Sequence, residues 1–165
     1  MSICYAYLNF DREEYFSAGA LGGGMKIRSL GRGLEGRALG LLLMEGATPT
    51  DGRIDRGAWA GNRVIAAGDG DEPSNIVGVF TEEDHTLYQH ARKHYRDVLA
   101  DIALMMLVHE RNALLEAAGH HDGVFMLLGE LAQVHRCENV ARALQEHFGK
   151  DWLKSYGRKL ESAKR

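Results

Sequence analysis

The sequence is poor in the residues that staple or stiffen small proteins: two cysteines and two prolines among 165 residues. Cys4 and Cys137 are too few for a disulfide framework, so the fold must rest on burial, with both thiols reduced and semi-buried in a reducing compartment. Long hydrophobic runs are also missing. The longest, Ile102 to Val108 (IALMMLV), is far short of the roughly 20 residues that a membrane-spanning helix needs. The opening segment, MSICYAYLNFDREEYF, has neither a basic stretch nor an apolar core, so it does not read as a secretion signal. A soluble, cytoplasmic protein that does not enter a membrane is the expectation. Positive charge is not in excess either, since the formal net charge is −3, which argues against nucleic acid or an anionic lipid surface as partner.

What is present suits an ordinary globular core. Hydrophobic residues make up 45% of the chain, and its length fits one domain, residues 1–165. The composition is lopsided. Fifteen of the 20 glycines and both prolines precede residue 81, and all eight histidines follow it. Segregated strand and helix signals of this kind predict an α+β fold. In it, a small N-terminal antiparallel sheet with glycine-rich loops (1–80) packs against a helical C-terminal half (81–165).

Local patterns fill in that outline. Ile3 to Asn9 alternates and is rich in aromatic and β-branched residues, the mark of a strand. Asn9-Phe10-Asp11-Arg12 has turn chemistry, and Glu14 to Ser17 returns as the second arm of a hairpin. Leu34 to Met44 reads as a helix closed by Gly46, and Gly36 and Gly40 within it would let another backbone approach closely. Asn62 to Ala67 and Ile76 to Phe80 read as short strands. Thr81 and Asp84 resemble a capping box ahead of a helical stripe formed by Leu87, Ala91 and Tyr95. Asp97 is placed to cap a long apolar helix from about Val98 to Ala118. Within it, residues 102–108 could instead form a buried strand, although their Leu, Met and Ala content favours helix. Val124 to His135, Val140 to Phe148 and a segment marked by Trp152, Tyr156 and Leu160 complete the helical half.

Three sets of residues invite functional readings. The first is the glycine-rich stretch from Gly19, with Gly23, Gly24, Lys26, Arg28 and Arg32. Convergent N–H groups and nearby cations could receive a phosphate or nucleotide. The stretch is nevertheless no phosphate loop, because Gly24 is followed by Met25, Lys26 and Ile27 instead of Lys-Ser/Thr. A tightly turned connection explains the same glycines. The second set is Trp59, Asn62, Arg63 and Asp69, which could frame a pocket or an interface. Alternatively, Trp59 anchors the core and Arg63 pairs with Asp69 or another carboxylate. The segment Trp59-Ala60-Gly61-Asn62-Arg63-Val64, ending in Gly68-Asp69, resembles a pattern in small uncharacterised bacterial and phage proteins. These also open on an aromatic strand and carry three glycines near residue 20. The resemblance covers about the first hundred residues, Asn62 stands where that pattern has Asp, and no activity is implied by it.

The third set is His90 and His94, one helical turn apart. This spacing serves zinc when a third ligand arrives, but neither His-Glu-x-x-His nor Cys-x-x-Cys is present, and no metal or other cofactor is expected. Nucleophile-elbow sequences are absent, and so is a paired-carboxylate pattern, so catalysis has no support. Charge is unevenly spread: residues 69–84 hold six acidic groups and no Lys or Arg, and residues 150–165 hold six basic and two acidic groups. Together these observations favour a small non-enzymatic protein acting through a specific protein partner or its own copies, of the accessory, inhibitor or immunity type. The alternative is a phosphate- or nucleotide-binding protein, possible as an enzyme, that uses the Gly19–Arg37 loop.

Overall fold

The computed structural model describes residues 4–23, 30–45, 54–70 and 86–165. Two compact units emerge, Met1–Ile102 and Ala103–Arg165. The division falls inside a helix, not at residue 81 where the composition changes. The fold is α+β, with a small mixed sheet in the first unit and helices concentrated in the C-terminal half.

The sheet contains β1 (Tyr5–Asn9), β2 (Glu14–Ser17), β3 (Val64–Gly68) and β4 (Arg96–Asp97), in the order β3-β1-β2-β4. The predicted hairpin is there. β1 pairs antiparallel with β2 and with β3, and β4 adds a parallel edge beside β2. No pattern announces β4, because both of its residues are charged and exposed. The hairpin turn follows from Asn9, whose side-chain oxygen accepts the N–H groups of Asp11 and Arg12 at 3.1 Å each. Such an Asx turn substitutes a side chain for a backbone acceptor.

All five residues of β1 are buried, because both faces of the sheet are covered. On one face Ala6, Leu8 and Ala67 pack against Leu87, Tyr88 and Ala91 of helix α2 (Leu87–His94). On the other, Tyr7 meets Phe16 with ring centroids 5.2 Å apart, and Phe16 meets Trp59 at 5.7 Å. Each large apolar side chain so buried contributes about 1.5–3 kcal/mol. Helix α2 starts at Thr86, whose hydroxyl accepts the N–H of Gln89 at 3.1 Å, a cap of about 1 kcal/mol. The expected cap at Thr81 and the expected strand at Ile76 to Phe80 lie outside the described residues, as does the expected C-cap Gly46.

Helix α1 (Leu34–Leu43) forms where its periodicity places it. A Cβ on Gly36 would sit 2.0 Å from the carbonyl oxygen of Gly31, so a backbone does pass this position closely; Gly40 has nothing within 4 Å. The C-terminal carbonyls of α1 do not go unmet. Leu41 accepts the N–H of Gly57 at 2.8 Å and Leu42 that of Trp59 at 2.9 Å. The segment leading into β3 therefore closes the end of the helix.

Beyond the sheet run α3 (Leu99–His109), α4 (Arg111–His120), α5 (Asp122–Gln133), α6 (Glu138–Phe148) and α7 (Trp152–Ala163). Residues 102–108 are helical, as their composition favours. Asp97 accepts the N–H of Leu99 at 2.9 Å and opens α3 as expected. The single helix expected from Val98 to Ala118 is instead two, broken at Glu110 (φ −137°, ψ 39°). Neither glycine nor proline marks the break, so it is a choice made by tertiary packing over local propensity. In the second unit α4, α6 and α7 all pack on α5. Gly129 lets α7 come close, since a Cβ there would lie 2.3 Å from the ring of Tyr156. Among the described residues no helix is long and apolar enough to cross a membrane.

Candidate functional site

The segment from Trp59 to Asp69 was a candidate for a pocket or interface, and the structure shows where its polar groups go. Trp59 is fully buried, and its indole N–H donates to Oε2 of Glu14 at 2.7 Å. Asn62 accepts from the side-chain amide of Asn9 at 3.0 Å. Arg63 pairs with Asp11, not Asp69: its backbone N–H and Nε donate to that carboxylate at 2.7 and 2.8 Å. Asp69 accepts the N–H of Cys4 at 2.9 Å and gives its own N–H to the Cys4 carbonyl. The side chains of Trp59, Asn62, Arg63 and Asp69 each bond to a residue between 4 and 14. These residues form a clasp on the N-terminal hairpin, and Trp59 lies beyond the reach of a partner.

Glu14, absent from the sequence-level candidates, is the hub of that clasp. Its carboxylate is almost wholly buried, and besides Trp59 it receives Nη2 of Arg96 at 2.6 Å and Nε of Arg12 at 3.0 Å. Burial alone would push its pKa up. The hydrogen bonds from Arg96, Trp59 and Arg12 outweigh burial and hold it below the usual carboxylate value. Asp11 is likewise lowered and Arg63 raised by their mutual hydrogen bond.

Of the glycine-rich set, Gly24, Lys26 and Arg28 lie outside the described residues, Arg32 is exposed and Gly23 is half-buried. The loop is organised by Glu35, which is fully buried at the start of α1. Its Oε1 accepts the N–H groups of Gly31 at 3.1 Å and Gly33 at 3.3 Å. Gly23 and Gly33 press on the carboxylate so closely that a Cβ on either would lie 2.1 or 2.5 Å from Oε2. The N–H groups of Gly31 and Gly33 are thus already held by the chain's own carboxyl group. Tyr7, beside this loop, has its pKa raised by burial and by the charge of Glu35, against a lowering hydrogen bond from Gly31.

His90 and His94 stack at 4.7 Å between ring centroids. Among the described residues no group of three or more His, Cys, Asp or Glu side chains is placed to hold a metal ion. Cys4, read from sequence as filler inside a strand, precedes β1 and is exposed, because the strand starts one residue later. Cys137 is half-buried ahead of α6.

A concavity among the described residues lies in the second unit. A groove of about 570 Å³ lies between α3, the start of α4, and α6. Leu104, Leu107 and Ala143 contribute apolar walls, and Val108 stands 76% exposed at its edge. Arg111 and Glu146 form an ion pair on its rim, and Nη2 of Arg142 donates to the side chain of Asn139 at 2.6 Å. A sequence signal existed: the run from Ile102 to Val108 is apolar on every helical face, more than one buried face can use. Compared with known proteins, the chain matches no family model, no curated protein and no solved structure, so its function has to be read from its own residues.

Proposed function

We propose that this chain is a small cytoplasmic binding protein of the accessory, inhibitor or immunity type, without catalysis, whose protein partner docks in the groove of α3, α4 and α6. The observation that supports this reading is the groove itself, an apolar floor open to solvent inside a charged rim. Interfaces combine the same two parts, a water-excluding apolar centre and a polar edge. Burying a side chain such as Val108 against a partner would contribute about 1.5–3 kcal/mol.

The test is binding by a purified partner. Proteins retained on the immobilised wild-type chain are purified and titrated by calorimetry against wild type, Val108→Asp and Leu153→Asp. The last variant alters an exposed apolar residue on α7, away from the groove. A partner that loses at least tenfold in affinity to Val108→Asp, and little to Leu153→Asp, supports the reading. Equal binding to all three removes the groove from function. A thermal shift produced by inorganic phosphate or nucleotides, with no protein partner, would favour the anion-binding alternative, since a ligand at 100 times its Kd adds about 2.7 kcal/mol.

A further inference from the structure

The groove has the pattern of a seat for one helix. On one side its lining falls at Leu104, Leu107, Val108 and Arg111, on the other at Asn139, Arg142, Ala143 and Glu146. The α6 set is spaced i, i+3, i+4, i+7, a single stripe along one helix. Across from it, Leu104, Leu107 and Val108 make a stripe on α3, and Arg111 follows at the first residue of α4, past the break at Glu110. The α6 stripe sets a trough about two turns long, or roughly 10 Å at 1.5 Å per residue. An amphipathic helix laid into a trough meets it through residues of the same spacing.

Charge and shape narrow the occupant. Glu146 engages Arg111, whereas the partner of Arg142 is the neutral amide of Asn139, which leaves the rim with a surplus positive charge. A symmetric pairing of this groove with its own copy fits poorly, because two concave grooves facing each other enclose empty space. We propose that the occupant is an amphipathic α-helix of a different protein, with apolar residues at i, i+3 and i+4 and a carboxylate opposite Arg142. This inference rests on the protein-binding reading above.

The probe is an 18-residue designed helical peptide with leucines on one stripe and glutamates flanking it. It is compared, by fluorescence anisotropy on the full chain, with a twin flanked by lysines and a twin interrupted by proline. The glutamate peptide should bind at least tenfold more tightly than either twin. Arg142→Glu should reverse the preference between glutamate and lysine, Arg142→Gln should abolish it, and Val108→Asp should abolish binding, with circular dichroism reporting intact helices in each variant. Equal binding of the glutamate and lysine peptides, or of the proline twin, overturns the inference. So does a dimer in sedimentation that Val108→Asp dissociates, which would make a second copy the occupant. A purified partner that needs Val108 but docks through a non-helical segment sinks the helix and spares the protein-binding reading; a partner indifferent to Val108→Asp sinks that reading itself.

Discussion

Replacing Glu14 with glutamine tests the physics of the clasp. Glutamine keeps the shape but offers one acceptor and one donor where the carboxylate offers two acceptors, one toward Arg96 and the other toward Trp59 and Arg12. The amide must therefore turn its NH₂ either to Arg96 or to the indole. Leaving the buried indole N–H unmet would cost about 1–3 kcal/mol. Losing Arg96, whose side chain is 51% exposed, costs less, about 1 kcal/mol or below. The amide should thus face its oxygen to Trp59, and the remaining bonds weaken because the acceptor is no longer charged. The sum is about 2 kcal/mol at pH 7, or roughly 4–8 °C in Tm for a chain of this size. The deficit should depend on pH with a definite sign. Glu14 has a lowered pKa when folded, so its contribution is complete above the unfolded value of about 4.3 and fades as pH falls through the folded one. Urea unfolding followed by circular dichroism at pH 7, 5, 4 and 3.5 measures both effects. A gap below about 0.5 kcal/mol at pH 7, or one as wide at pH 3.5 as at pH 7, would refute the assignment of Glu14 as an ionised, buried hub.

Three further outcomes follow from other parts of the molecule. Gly129→Ala should lower stability by about 1–3 kcal/mol through overpacking against Tyr156, despite a helix-propensity gain of roughly 1 kcal/mol; thermal unfolding decides which wins. Arg63→Ala should leave Tm nearly unchanged, because its bond to Asp11 is solvent-exposed, and a large drop would contradict that. Alkaline absorbance titration should find Tyr7, Tyr15, Tyr95 and Tyr156 ionising above the ordinary tyrosine value, chiefly through burial. Stability tied to these groups holds below pH 10 and is lost as pH rises through their folded values. A single transition at the free-tyrosine value would contradict the placement of these rings.

How much of this was legible in the chain varies with the physics involved. The hairpin, α1 and the helical half follow from period and turn residues, local signals that tertiary structure reinforces. β4 does not, because its two residues are charged and exposed, and what joins Arg96 to β2 is a backbone pairing and a side-chain bond to Glu14, eighty-two positions away. Nor does the break at Glu110, where nothing local opposes a continuous helix. The Trp59 to Asp69 segment stands out in sequence for the right reason, its residue types, but these types serve buried and exposed roles alike. Only their partners on residues 4–14 decide between the two. The glycines near residue 23 look like an anion cradle until Glu35, a single acidic residue in a basic stretch, is found inside it. The groove was the least visible. The all-round apolar run Ile102 to Val108 hints at one wall, but the other lies some thirty residues on and reads by itself as an ordinary amphipathic stripe.

The clasp also bears on how the chain is made. Its bonds between residues 4–14 and 59–69 span 45 to 65 positions, so the hairpin is synthesised well before these latches can close. The sheet order places that early hairpin in the middle and the later strands at its two flanks. Assembly therefore proceeds outward from the oldest segment, and a nascent chain halted before β3 presents both edges of β1 and β2 unguarded. Closing the first latch carries most of the entropic cost, since loop closure rises only by about 0.6 kcal/mol per doubling of length. The remaining latches then close at little extra entropic cost.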